Sequence, residues 1–259
     1  MTERRFYVAP ADMEDVIGGS AVIRQDEHHH LKRVLRLKPG DDVSVFDGEG
    51  RGFMGTIESI TDDESRVRLV QRDTRVVEPS FAVHLVQGIP NHDQLDLLIQ
   101  KTTEIGVARI VPVIAERTVL RAGNEGEWKR LPRWRRVATD AARQSGRHRV
   151  PLIEAPVTWS EFLEHLPDTP GQVRLILDPD GATMSDVKGL THPVSTQPAM
   201  VAVGPEGGWT RREVELGRTR GFIPVTLGPR ILRTETAGIV TVALCLFLAG
   251  QMGAGSDRA

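Results

Sequence analysis

Along the first third of the chain, apolar and polar positions alternate with a period near two. "FYVAP", "DVSVFDGEGRGFMGTIESI" and "SRVRLVQRD" are short runs rich in Val, Ile and Phe, and they predict β-strands. "DGEG", Asp47 to Gly50, predicts a hairpin turn, because glycine accepts the positive φ that such turns need. One helix interrupts the strands: "DEHHHLKRVLR", with Asp26 expected as its N-cap and "KPGD" as its stop. The pattern up to Arg75 predicts a small β-barrel domain with a basic helix on its surface.

After the short linker "RVVEPSF" the period lengthens and alternates between two kinds. "AVHLVQGI", "ARIVPVIAE", "VRLILDPDG", "AMVAVGPEGG" and "IPVTLG" read as strands. Between and after them, "HDQLDLLIQKTTEIG", "LPRWRRVATDAARQSG" and "TRREVELGRTRG" read as helices, with Trp134, Val137, Ala138 and Ala141 on one face of the second. Strands and helices in alternation predict a parallel sheet covered by helices, so residues 76–259 are expected to form an α/β domain.

The most apolar stretch, Ile239 to Ala249, poses a membrane question that its length answers. A bilayer crossing takes about 20 residues, so this segment predicts a buried core helix and no membrane partner. Composition adds little: 39% hydrophobic and 26% charged residues with a formal charge of -2 describe an ordinary globular chain with no global nucleic-acid signal. The single cysteine, Cys245, excludes a disulfide framework and suits a reducing cytosol; the N-terminus has no apolar secretory core. Adjacent helical histidines point in different directions, so His28, His29 and His30 predict no metal site.

In parallel α/β sheets ligands bind beyond the carboxyl ends of the strands. The loops expected there are "DPDG", "GPEGGWT" and "LGPRILRTE". Gly204, Gly207 and Gly208 let backbone approach a ligand closely, as in a cradle or simply a tight turn, and Thr210 with Glu213 predicts a capping box for the next helix. Neither a phosphate-loop nor a dinucleotide fingerprint occurs, and Glu206 opposes a phosphate, which weighs against a nucleotide oxidoreductase. At the start of the last helix a Thr cap and Glu235 suit the unpaired amides and the dipole, whereas the positive charge of Arg233 calls for a carboxylate or ligand partner.

"VAVGPEGGWTRREV" followed by "TLGPRILRTETA" resembles the paired C-terminal signature of the RsmE family of ribosomal RNA methyltransferases, in the SPOUT superfamily. "HHHLKRVLRLKPGDDVSVFDGEG" is similar to the family's N-terminal PUA-like domain. "IQKTTEIGVARIVPVIAERT" is similar to its first α/β unit, and "RWRRVATDAARQSGRHRVPLI" to its Arg-rich segment, so the resemblance spans nearly the whole chain. It implies a SPOUT α/β fold with a deep C-terminal trefoil knot, a PUA-like β-barrel over residues 1–75, a homodimer, and S-adenosylmethionine (SAM) as methyl donor. The implied reaction is methylation of uracil N3 at uridine 1498 of 16S rRNA in the small ribosomal subunit, in the cytoplasm. A non-catalytic RNA-binding or assembly factor on the same fold is the alternative.

On this resemblance Leu177, Val203, Gly204, Pro205, Gly207, Gly208, Leu227, Gly228, Ile231, Leu232, Thr234 and Thr236 are the expected SAM pocket. Arg233 is the candidate for stabilising negative charge on the uracil, and Glu206 for holding the SAM amino group or acting as base. The chain departs from the family before its first α/β helix: relatives carry a basic Lys-Gly turn, and here "IPNHDQLD" places Asn91, His92 and an added Asp93.

Local charge supports RNA as partner. From Lys129 to Arg149 there are eight Lys or Arg and one acid, Asp140. The expected RNA contacts are Arg143, Gln144 and Arg147 from this segment, Arg4, Arg5, His30, Lys32, Arg33 and Arg36 from the N-terminal domain, and Lys101. Binding to small-subunit rRNA should then weaken steeply with salt, about tenfold or more between 50 and 200 mM, in a filter-binding titration; a flat response rules these clusters out.

Overall fold

The computed structural model describes residues 4–90, 94–118, 129–187 and 198–253. The chain divides into two compact units, Met1–Glu78 with Thr139–Val150, and Pro79–Ala138 with Pro151–Ala259. The first unit thus includes a segment, Thr139–Val150, that follows sixty residues of the second, Pro79–Ala138.

In the first unit β1 (Arg5–Tyr7), β2 (Ser20–Arg24), β3 (Asp42–Phe46), β4 (Gly52–Ile60) and β5 (Glu64–Arg72) form one sheet in the order β1-β3-β4-β5-β2. β1 runs parallel to β3, and the other neighbours are antiparallel. Alternate residues turn inward, so Phe6, Ile23, Val45, Phe53, Ile57, Val67 and Leu69 share a core. The turn between β3 and β4 forms as expected: the buried Asp47 carboxylate accepts from the N–H groups of Glu49, Gly50 and Arg51 at 2.9, 3.1 and 2.9 Å. Gly48 and Gly50 supply φ of 78° and 119°.

Two local expectations are corrected. Asp26 is not the N-cap of α1 (Gln25–His29); that position belongs to Arg24, whose extended backbone ends β2, and Asp26 lies in the first turn. The helix also starts directly from β2, a strand whose apolar run, Ala21 to Ile23, is too short to announce itself and gains its order from pairing with β5. Beyond α1 the chain widens into a π-helical turn, His30–Val34, with Arg36 at φ 52°. His28 is a buried strut: its ring nitrogens meet the Ser65 hydroxyl at 2.8 Å and the Asp62 carbonyl at 3.1 Å.

In the second unit β6 (Val83–Gly88), β7 (Arg109–Ile114), β8 (Leu152–Ile153), β9 (Val157–Thr158), β10 (Arg174–Thr183), β11 (Ala199–Val203) and β12 (Ile223–Thr226) form a parallel sheet. Its order is β12-β10-β11-β6-β7-β8, with β9 also paired to β7. β11 is buried at every position, as suits a central parallel strand. The helices are α2 (Gln94–Ile105), α3 (Leu131–Ser145), of which only the part up to Ala138 belongs to this unit, α4 (Trp159–Glu164), α5 (Arg211–Thr219) and α6 (Thr234–Leu248). α3 buries Trp134, Ala138 and Ala141 of the face its spacing predicts, while Val137 is half-buried and Ala142 is buried in addition. α4 and the two-residue strands β8 and β9 escape the sequence pattern because each is too short to show a period; a Thr158/Glu161 capping box starts α4. α6 is the apolar segment, and among the described residues no helix is long and apolar enough to cross a membrane.

The ring of His84 on β6 is pushed down to about 4, by burial first and by Arg109 second. Free imidazole titrates near 6.5, so between those values the unfolded chain binds more protons than the folded one. The stability that neutral His84 provides is full above about pH 6.5 and is lost as pH falls towards 4. His84→Gln should remove on the order of 2 kcal/mol of the acid destabilisation between pH 7 and 4.5, read as a shallower fall of melting temperature with pH than in the unaltered chain. Parallel curves contradict this.

Candidate functional site

Because every pairing in the second sheet is parallel, the C-terminal ends of its strands gather along one edge. Gln87 of β6 stands beside Val203 of β11 and Pro112 of β7, and Leu177 of β10 beside Val225 of β12. From this edge the glycine-rich loop leaves β11, the Leu227–Arg233 loop leaves β12, and a tight turn at residues 115–118 leaves β7.

The glycine-rich loop is held from two sides. It closes on itself through Gly208, at φ 66°, whose N–H donates to the Pro205 carbonyl at 2.8 Å. The expected capping box is present: Thr210 Oγ1 accepts from the Glu213 N–H at 3.2 Å, and Glu213 Oε2 accepts from the Thr210 N–H at 2.8 Å. The same carboxylate turns its other oxygen to the Glu116 N–H at 2.8 Å, while Arg117 Nη1 donates to the Gly207 carbonyl at 3.0 Å. Beneath, Trp209 packs on Trp159 at 4.6 Å between ring centroids, and Trp159 meets Phe222 edge-on at 5.5 Å. Such aromatic pairs contribute about 1 kcal/mol each beyond burial.

On the other side Thr234, the first residue of α6, donates its hydroxyl to the Gly204 carbonyl at 2.5 Å. That hydroxyl accepts from Gln87 Nε2 at 2.8 Å, and Nε2 also donates to the Gly88 carbonyl at 3.0 Å. A threonine cap is therefore not what starts α6: Arg233 occupies the N-cap position, where its donor-only side chain makes no capping bond, and the Thr234 hydroxyl is engaged with the loop. Two glycines make the packing possible. A Cβ on Gly88 would lie 2.4 Å from the Pro205 nitrogen, and one on Gly238 would lie 2.7 Å from Gln87 Oε1.

Around this frame the expected residues separate by exposure. Val203, Gly204, Pro205 and Thr234 are buried, and Leu177, Gly208, Leu227 and Leu232 are half-buried. Glu206, Gly207, Gly228, Arg233 and Thr236 are exposed, and Ile231 is 98% exposed, an apolar side chain held in water beside the loop. Glu235 is 8% exposed, and its Oε2 has no hydrogen-bond partner among the described residues. The sequence pattern does not mark Gly88 or Arg117; the available signal for Gln87 was a Gln directly after the apolar pair Leu85 and Val86 of an expected strand.

In the first unit Arg4, Arg33, Arg36 and Gln144 are exposed, and His30, Lys32 and Arg143 are half-buried. Lys32 is tied to Asp62 at 2.9 Å, and Arg143 to Asp140 at 3.3 Å. Arg5 and Arg147 instead lie inside, 4% exposed each: Arg5 stacks on Phe46 at 4.4 Å and donates to the Arg147 carbonyl, and Arg147 pairs with Glu78 at 2.8 Å. Both guanidiniums serve the protein's own carboxylate, carbonyl and ring. On α2, Lys101 is half-buried and pairs with Glu104 at 2.9 Å. Asn91, His92 and Asp93 lie outside the described residues. No cluster of three potential metal ligands occurs among the described residues.

An RNA methyltransferase domain family matches residues 77–246, and an RNA methyltransferase PUA domain family matches residues 23–70. A Synechocystis protein, ribosomal RNA small subunit methyltransferase E, is 34% identical over 92% of this chain and 76% of its own length. The crystal structure of a ribosomal RNA small subunit methyltransferase E from Neisseria gonorrhoeae bound to SAM superposes with a TM-score of 0.84, at 32% identity over 95% of this chain and 97% of that one. A Legionella pneumophila methyltransferase in complex with SAM gives 0.82, at 29% identity over 94% and 97%.

If the loop is seated against β6 as described, Gly88→Ala should lower the denaturation free energy by about 2 kcal/mol, since the methyl group meets backbone that cannot move aside alone. An unchanged urea midpoint contradicts that seating.

Proposed function

The chain belongs to the RNA methyltransferase family of the ribosomal RNA small subunit methyltransferases E, and from that membership we propose that it transfers the methyl group of SAM to N3 of uridine 1498 in 16S rRNA. The observation that carries the reading is the glycine-rich loop at the C-terminal sheet edge, anchored at Gly204 and Gly207 and lacking any lysine. An uncharged adenosyl group with a sulfonium needs backbone polar groups and apolar cover, whereas a phosphate needs cations. Val203, Gly204, Pro205, Gly207, Gly208 and Thr234 supply the first. Leu177 on β10 and Leu227, Ile231 and Leu232 supply the second, with Gly228 at φ 102° bending the loop of the last three and Thr236 in the first turn of α6.

SAM, when bound, supplies an electrophilic methyl group on a positively charged sulfur. The protein's residues must bring uracil N3 into line with it and deal with the N3 proton. Arg233, exposed at the start of α6, stabilises the negative charge that develops on the uracil as that proton leaves. Glu206, exposed on the opposite loop, accepts the proton or holds the SAM amino group. Arg4, His30, Lys32, Arg33, Arg36, Lys101, Arg143 and Gln144 grip the RNA, while Arg5 and Arg147 build the first unit from inside.

The family's trefoil knot is part of the proposal. β12 lies at one sheet edge beyond β10, yet α6 returns to pack on α2, β6 and β11, so the chain must cross back past β10. Threading that return through a loop gives the knot. A homodimer is proposed on the same basis, with the exposed Leu97 on α2 and Phe247 on α6 suited to its interface. A cytosolic setting fits the lone, buried Cys245.

The test is transfer of labelled methyl from SAM to purified small subunits and to naked rRNA, followed by nucleoside analysis. N3-methyluridine at one position is expected, with Arg233→Ala lowering turnover about a hundredfold while SAM affinity holds. A different methylated nucleoside, or none on either substrate, overturns the reading; full turnover by Arg233→Ala removes Arg233 from it.

A further inference from the structure

We infer that Gln87 is a positioning residue for methyl transfer, acting through the Thr234 hydroxyl on the Gly204 carbonyl; the inference rests on the SAM reading of that loop. Gln87 is fully buried in β6 beside Val86 and Leu85. A primary amide in such a place is costly unless its groups are bonded, and only part of this one is: Oε1 has no hydrogen-bond partner among the described residues. An apolar side chain of the same size would serve stability at least as well. What the amide provides is direction.

The direction of the relay follows from the donors available. The Gly88 carbonyl only accepts, so the face of the amide 3.0 Å from it must be nitrogen. The second hydrogen of that nitrogen goes to Thr234 Oγ1 at 2.8 Å. A hydroxyl has one proton, and with Gln87 donating to its oxygen, that proton is left for the Gly204 carbonyl at 2.5 Å. Pro205 has no N–H, so this carbonyl is the only polar handle on the Gly204–Pro205 peptide. Fixing it sets the plane in which the glycine-rich loop leaves β11. Gly238 completes the device, since any side chain there would displace the Gln87 amide.

The test is calorimetric titration with SAM, together with steady-state methyl transfer, on the full chain and on Gln87→Met, Thr234→Val, Thr234→Ser and the Gln87→Met/Thr234→Val pair. Thr234→Val keeps shape and removes the hydroxyl; Thr234→Ser keeps the hydroxyl. Gln87→Met and Thr234→Val should each weaken SAM binding about tenfold and raise the KM for SAM, with the KM for RNA unchanged. Thr234→Ser should stay within about threefold of the unaltered chain, and the pair should be no worse than Thr234→Val alone, because both changes cut one relay. SAM binding unaffected by Thr234→Val, or equal losses in Thr234→Ser and Thr234→Val, overturns the positioning role. Should Gln87→Met fail to fold, the two Thr234 variants decide the matter. If the unaltered chain does not bind SAM, the cofactor reading itself falls, an outcome distinct from intact binding that ignores the relay.

Discussion

At the end of β6, backbone must pass within van der Waals contact of backbone. Gly88 leaves the space into which the Gly204–Pro205 peptide fits, and Gly238 leaves the space into which the Gln87 amide fits. Residues 87–88 precede the other two segments that meet here, 204–205 and 234–238, by more than a hundred positions. A methyl group at either glycine would push them apart, and the bonds from Gln87 to Thr234 and from Thr234 to Gly204 would lengthen beyond use. The glycine-rich loop, the start of α6 and the strand edge therefore stand or fall together.

From that constraint follows a division within the site. The buried members, Gly204, Pro205 and Thr234, are fixed by hydrogen bonds and have no freedom left to adapt. Arg117 and Glu213 fix the far side of the same loop, and the aromatic packing of Trp209 on Trp159 supports it from below. The exposed members, Glu206, Arg233 and Ile231, project from this rigid base into water. A rigid backbone with exposed side chains is the arrangement expected of a site whose loop holds one reactant and whose side chains meet another.

Charge is used in two ways in the first unit. Arg5 and Arg147 are taken out of water and matched with Phe46, a carbonyl and Glu78, and removing one partner from such a pair costs about 3 kcal/mol or more. The His148 and Arg149 N–H groups bind the same Glu78 carboxylate, so one acid organises three consecutive residues. Arg4, Arg33 and Arg36 keep their charge in water, where it can act on a polyanion. Asp73, next to Arg75 and His148, is held well below the usual carboxylate range and stays ionised to strengthen the interior network.

The sequence by itself determined a great deal wherever one segment's pattern is sufficient. The alternation in β3 to β5, the DGEG turn, the Thr210/Glu213 capping box, the buried face of α3 and the length limit on α6 are all local, and each appears as expected. Motif spacing pointed to the family, and the strand–helix alternation had already pointed to the loops beyond the strand ends. Tertiary structure alone decided that Arg5 and Arg147 turn inward while Arg33 and Arg36 do not, since an arginine's spacing says nothing of which carboxylate or ring folds over it. It also decided that the Thr234 hydroxyl serves Gly204 and not the helix start, that short β2, β8, β9 and α4 have partners to order them, and that the buried Gln87 amide bonds Thr234. The physical reason is the same in each case: period and propensity report on neighbours in the chain, whereas a buried hydrogen bond or ion pair is chosen by whatever group packing brings within about 3 Å.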